Sequence, residues 1–201
     1  MFSIKESLKY GWNKAKEHVE LILFTTLLLL AVGFFTKASL LGLIITIFII
    51  IVRIGYTKIF LRIYDGETPK FVDIFQEYKI FWRYLGTSVL TCLVVVGGFI
   101  LLIIPGIYWA IRFSFSPIIV VDTKMGPVVS MKESYAITKG QFWKIFGFWI
   151  IVGLLNLLGF IFLGIGLLVT VPVSTLASIY VYRKLSEAKA GLMQTTSPQI
   201  A

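Results

Sequence analysis

Long apolar runs, cut by short charged segments, set the pattern of this chain. Val19–Phe35 is followed by Leu40–Tyr56 after the short stretch "TKAS". Past Arg83, apolar residues continue almost unbroken to Val121, interrupted midway by "IIPGI". Past Lys144 they continue to Tyr182, interrupted by "LGIGL". In these last two stretches about 38 residues separate the boundary charges, and a helix of half that length covers about 28 Å, close to the hydrocarbon thickness of a bilayer. Proline and glycine at the midpoints end one helix and let the chain reverse. The pattern predicts an all-α membrane protein with six transmembrane helices, arranged as three helical hairpins.

An internal repeat supports the same division. "IFWRYLGTS" (Ile80–Ser88) and "QFWKIFGFW" (Gln141–Trp149) come into register when Phe81 is laid on Phe142, an offset of 61 residues. Trp82 then meets Trp143, Arg83 meets Lys144, and Gly86 meets Gly147. Further on, Gly98 meets Gly159, Phe99 meets Phe160, Pro105 meets Gly166, and the boundary charge Asp122 meets Arg183. A weaker first copy carries "VGFF" (Val32–Phe35), where the others carry "GGFI" and "LGFI". The whole chain, 1–201, reads as one integral membrane domain. Its units cover about 1–66, 67–125 and 126–190, with a flexible tail over 191–201.

Amphipathic segments connect the hairpins. Residues 2–19 align Ile4, Leu8, Trp12, Ala15 and Val19 on one helical face, flanked by Lys5, Lys9 and Lys16. "PKFVDIFQEYKIFW" does the same with Phe71, Ile74, Phe75, Tyr78 and Trp82, and "GPVVSMKESYAITKG" shows a shallower version between glycines. Such helices lie in the headgroup layer, aromatic rings at the boundary and lysines toward phosphate. The interfacial lipid contacts are therefore expected at Lys5, Lys9, Trp12, Lys16, Trp82, Arg83, Trp143 and Lys144.

Composition agrees: 58% of the 201 residues are hydrophobic and only 14% charged, far from the balance of a soluble domain. The net charge of +9 sits in residues 1–20, 57–83, 122–144 and 183–201, while the opposite turns hold only Lys37. This distribution belongs to loops beside membrane spans rather than to a nucleic-acid surface, and it puts both termini in the cytoplasm. Outer turns fall at Lys37, Pro105 and Gly164–Gly166. No signal-peptide cleavage site follows the first apolar run, so the first helix is expected to stay. Cys92 is a lone thiol in an apolar run, and His18 is the only histidine. No metal-ligand spacing, catalytic triad or phosphate loop is present, so no cofactor and no enzymatic activity are expected.

Polar residues inside the spans are the sharper signal. Arg53 lies near the cytoplasmic end of its run and snorkels. Arg112 lies about six residues past the Pro105 turn, roughly 9 Å in along a helix. An arginine at mid-span costs about 2.5–3.5 kcal/mol, which calls for partners. Ser114, Ser116, Thr91, Asn156 and carbonyls freed near Pro117 are the candidates. Arg112, Asn156 and Ser114 form the candidate internal site, either for an anion or lipid or as a structural lock. Asn156 suits an interhelical hydrogen bond, and Pro117 and Pro172 should kink their helices.

"YDGETPKFVDIF", "IPGIYWAIRFSFSPIIVVD" and "MKESYAITKGQFWKIF" together resemble a broad group of small prokaryotic membrane proteins. It includes the YciC type and the membrane domain attached to some bacterial glycerophosphoryl diester phosphodiesterases. The resemblance spans roughly residues 4–186 and implies a six-helix inner-membrane domain; the catalytic domain of those phosphodiesterases is not expected here, and their activity is not carried over. The expected function is a non-enzymatic, polytopic inner-membrane protein that engages anionic lipid or organises membrane components. The expected partners are membrane lipids, a second copy or another membrane protein, and not nucleic acid. The alternatives are a small oligomeric transporter of an anionic or amphipathic solute and an accessory or immunity-type membrane partner.

Overall fold

The computed structural model describes residues 2–33, 40–70, 73–74, 78–161 and 166–196. Nine α-helices are found among them: α1 (Ile4–Glu17), α2 (Val19–Gly33), α3 (Leu40–Tyr64), α4 (Phe81–Leu101), α5 (Ile103–Arg112), α6 (Ser116–Thr123), α7 (Pro127–Thr138), α8 (Phe142–Ile161) and α9 (Leu167–Thr196). The described residues contain no strand. Among the described residues, three helical stretches are long and apolar enough to cross a membrane: α4, α5 and α6 taken together (Ile103–Thr123), and α8. Only 11% of α4 is buried within the protein, against 44% of Ile103–Thr123, so α4 offers most of its apolar surface to its surroundings.

The core lies around α9 and the second half of α3. Leu176, Ala177, Ile179 and Val181 of α9 pack with Ile54, Ile59, Phe60 and Ile63 of α3, all essentially inaccessible. The apolar run at the start of α9 is thus sheathed largely by protein. α1 covers part of it: Gly11 rests on the Val173 carbonyl and the Ala177 backbone, and the Tyr10 ring packs at a tilt 4.9 Å from that of Tyr180. The face expected to meet the headgroup layer docks its Ile4, Leu8 and Ala15 on the core. Lys5, Lys9, Trp12 and Lys16 remain on the exposed side.

The α4–α5 pair and the α8–α9 pair each set glycine against glycine. Leu102 alone joins α4 to α5, donating its N–H to the Gly98 carbonyl at 3.0 Å. A Cβ on Gly98 would stand 3.0 Å from Gly106 Cα, and one on Gly166 would stand 2.5 Å from the Gly159 carbonyl oxygen. Gly98 and Gly159 are the positions matched by the repeat. The tip of the first pair is wholly aliphatic, with Ile100 through Ile104 each between 68% and 81% exposed.

The connecting segments dock at small residues too. A Cβ on Gly86 would lie 3.0 Å from Pro127 at the start of α7, and one on Gly147 would lie 3.7 Å from Ile4 at the start of α1. Ile74 presses its backbone onto Gly55 of α3 so closely that no side chain fits between them.

Three expectations need amendment. A continuous amphipathic helix through Trp82 is replaced, near its end, by a 3-10 turn at Tyr78–Ile80; Phe71 and Phe75 lie outside the described residues. The segment expected as a flexible tail from 191 is helical to Thr196, because α9 simply continues. Pro117 does not bend a continuous helix; the chain breaks at Phe113–Phe115 and Pro117 opens α6, where its missing N–H costs nothing. The expected outer turns at Lys37 and Gly164 lie outside the described residues.

Gly11→Val should lower stability by about 1–3 kcal/mol, because the added atoms must push α1 off α9. Gly97→Ala, where nothing lies within 4 Å of the new Cβ, should be close to neutral. Thermal unfolding in one detergent compares the two.

Candidate functional site

α5 ends at Arg112, which is only 7% exposed although it carries a full charge. Its side chain leans back along α5, as long helical side chains do, and so meets Tyr108 one turn earlier. The guanidinium carbon lies 5.0 Å from the Tyr108 ring centre and 4.9 Å from that of Tyr135 on α7. Two aromatic faces thus bracket the cation, a desolvated arrangement favourable to a guanidinium. Nη1 donates to Thr138 Oγ1 at 3.4 Å, a long contact, while Nε is buried without a partner. Among the described residues no carboxylate forms an ion pair with Arg112.

α7 is held against this point through the backbone. Ser134 Oγ donates to the Arg112 carbonyl at 2.7 Å, filling an acceptor left open where α5 ends. The Thr138 hydroxyl sits 3.5 Å from the same carbonyl and bonds the Ser134 carbonyl at 2.8 Å. Around the site, Trp109 stacks on Phe113 at 5.3 Å and Phe142 stacks on Tyr108 at 5.5 Å. A hydrogen bond with Tyr108 holds the Tyr135 phenol above its usual pKa.

The partners expected from sequence are engaged elsewhere. Ser114 Oγ donates to the Ile111 carbonyl at 2.9 Å, the usual local bond of a serine past a helix end. Asn156 accepts from Ser174 at 3.4 Å, an interhelical bond between α8 and α9. The Ser116 and Thr91 hydroxyls are buried without partners. Arg112, Ser114 and Asn156 therefore do not form one site; Arg112 is joined to Tyr108, Tyr135 and Thr138 instead. Tyr108, four residues before Arg112, was a signal available in the sequence.

The expected interfacial residues are spread over several helices. Lys16 Nζ lies 4.8 Å from the Trp12 ring centre. Trp82 is 77% exposed and Trp143 78%, and each meets its preceding phenylalanine edge-on, at 5.3 and 5.4 Å. Arg83 donates to the Lys124 carbonyl at the end of α6, and Lys144 is half-buried.

A second charged cluster was only half legible. Arg183 on α9 bonds Asp122 through both terminal nitrogens at 3.1 Å and Asp65 at 2.8 Å, while Tyr182 donates to Asp122 at 2.7 Å. Residues matched by the 61-residue offset thus touch each other directly. Tyr10 and Tyr64 pack nearby, ring centres 5.3 Å apart, and burial pushes the Tyr10 phenol up to about 12.

Comparison with known proteins adds little. The chain is 28% identical over 130 residues to an uncharacterised protein of Mycobacterium bovis and to uncharacterised proteins of two Mycobacterium tuberculosis strains. The match covers 63% of this chain and 38% of each relative, so the chain spans well under two thirds of their length. No family model matches, and no solved structure does. The fold and its relatives define a helical protein with membrane-length apolar helices and bacterial kin.

Asp122→Asn and Arg183→Gln, alone and combined, should reveal a coupling of about 1–3 kcal/mol in a double-mutant cycle followed by unfolding in detergent. The exposed Lys14–Glu17 pair, treated the same way, should show no measurable coupling.

Proposed function

We propose that this is a non-enzymatic, polytopic protein of the prokaryotic inner membrane that binds anionic lipid at Arg112. The observation that carries the reading is a comparison of equivalent seats. The same spacing separates Gly55 from Asp65, Arg112 from Asp122 and Val173 from Arg183. At each of the three first-named positions, an amphipathic segment of another unit docks: Ile74 at Gly55, Ser134 at Arg112, and Gly11 at Val173. Glycine and valine serve two of these seats, so the packing itself has no need of a buried cation. Desolvating a guanidinium is costly, and a structural role would call for a carboxylate beside it. Aromatic faces with an unpaired Nε suit instead an anionic group that arrives with the ligand.

In this reading the three units form hairpins that insert from the cytoplasmic side. Unit one docks on unit three, unit two on unit one and unit three on unit two, and their terminal charges Asp65, Asp122 and Arg183 meet. Both termini stay in the cytoplasm, as the distribution of lysine and arginine requires.

Arg112→Leu should insert normally and unfold in detergent at a temperature close to wild type, yet lose the stabilisation that added phosphatidylglycerol gives the wild type. Arg112→Lys should recover it only in part, lacking the planar multi-donor head. Equal loss of stability with and without lipid would make Arg112 a structural lock. For topology, single cysteines in a Cys92-replaced background should react with an impermeant reagent from outside at position 37 and not at 66 or 125.

A further inference from the structure

A groove of about 500 Å³ runs between α4, α5 and α7, walled by Leu90, Trp109, Phe113, Val128, Met131 and Tyr135. Its one charged wall residue is Lys132, which is exposed and has no ion pair among the described residues. Tyr135 belongs both to this groove and to the bracket around Arg112. One long side of the groove is α4, whose neighbouring Val89 and Leu93 are exposed, so the groove opens onto the same apolar surface that α4 offers to a bilayer. Arg83, two turns before Leu90 on the same face of α4, reaches the Lys124 carbonyl where α6 gives way to α7. The groove is thus apolar along its length and basic at its margin, the complement of an amphiphile with an anionic head.

The repeat gives a second, independent reason. Ile4 sits over Gly147 as Pro127 sits over Gly86, and the offset matches these glycines. Counted from Ile4 and Pro127, Lys9 and Trp12 of α1 stand where Lys132 and Tyr135 stand on α7. A base followed one turn later by a large aromatic is therefore a shared feature of both docked helices. The helix dipole gives no reason for a lysine in mid-helix, and among the described residues no acid forms an ion pair with Lys132.

We propose that this groove holds one acyl chain of an anionic phospholipid, with Lys132 paired to its phosphate at the rim and Tyr135 between the phosphate and Arg112. The proposal rests on the lipid reading given above and names the chain-binding half of that site. Two positive charges near one head, Lys132 in contact at the rim and Arg112 buried behind Tyr135, make the site selective for charge, while the apolar walls make it selective for an acyl chain.

The full-length protein in an uncharged detergent can be titrated with dioleoyl phosphatidylglycerol, dioleoyl phosphatidylcholine and inorganic phosphate, with retained lipid counted by native mass spectrometry. Lys132→Gln should weaken phosphatidylglycerol binding about fivefold and leave phosphatidylcholine unchanged. Val128→Trp, at an exposed rim position, should fill the groove and reduce both lipids without lowering lipid-free stability. If both variants bind phosphatidylglycerol like wild type while Arg112→Leu does not, the groove is refuted and the Arg112 reading survives. If all three bind like wild type, both fall. If inorganic phosphate displaces phosphatidylglycerol at equal concentration, the site is one for a free anion and the acyl-chain half is overturned.

Discussion

Backbone approaching backbone is the constraint on which this fold depends. At Gly11, Gly55, Gly98 and Gly166 a further carbon atom would meet the backbone of another segment, while at Gly106 and Gly159 it would first meet the Phe99 ring and the Thr170 hydroxyl. Close approach of this kind is how helices gain contact area where lipid offers no hydrophobic gain on association. Remove the small residues and the connecting helices have nowhere to sit. The charged cluster at Arg183 and the aromatic bracket at Arg112 both rely on that seating.

Apolar patterning read the helices well, because a run of aliphatic residues near 19 long has few other uses. It could not read what the aliphatic residues face. The runs in α4 and α9 look alike in sequence, yet α4 is largely uncovered and the first half of α9 is enclosed by α1, α3 and α8. Burial in protein and burial in lipid ask for the same side chains; only the partner differs. The lengthwise docking of α1 was hidden for the same reason, since an apolar helix face suits a membrane surface and a protein groove equally.

The site was legible in part. An arginine in an apolar run stood out, and so did the need for partners. Its neighbours were sought among polar groups close in sequence or on other spans, but Ser114 bonds back to its own chain, Asn156 meets Ser174, and the Ser116 and Thr91 hydroxyls are buried without partners. The residues that do surround the guanidinium come from one helical turn earlier and from α7, 26 residues away at Thr138. The repeat made Asp122 and Arg183 equivalents; equivalence predicts similar surroundings, and their ion pair arises only because the ends of the units converge.

The aliphatic tip between α4 and α5 has a mechanical consequence. At the other end of α4, Trp82 and Arg83 offer an amphipathic ring and a cation, groups that hold a fixed depth at a membrane boundary. From Ile100 to Ile104 nothing comparable exists, and every side chain is content in hydrocarbon. In a bilayer such a pair would be moored at one end and unmoored at the other. A thicker or thinner bilayer would change how much of the tip lies in the far leaflet without stretching any polar contact, so the protein should keep its shape across membranes that would tilt or distort a helix anchored at both faces.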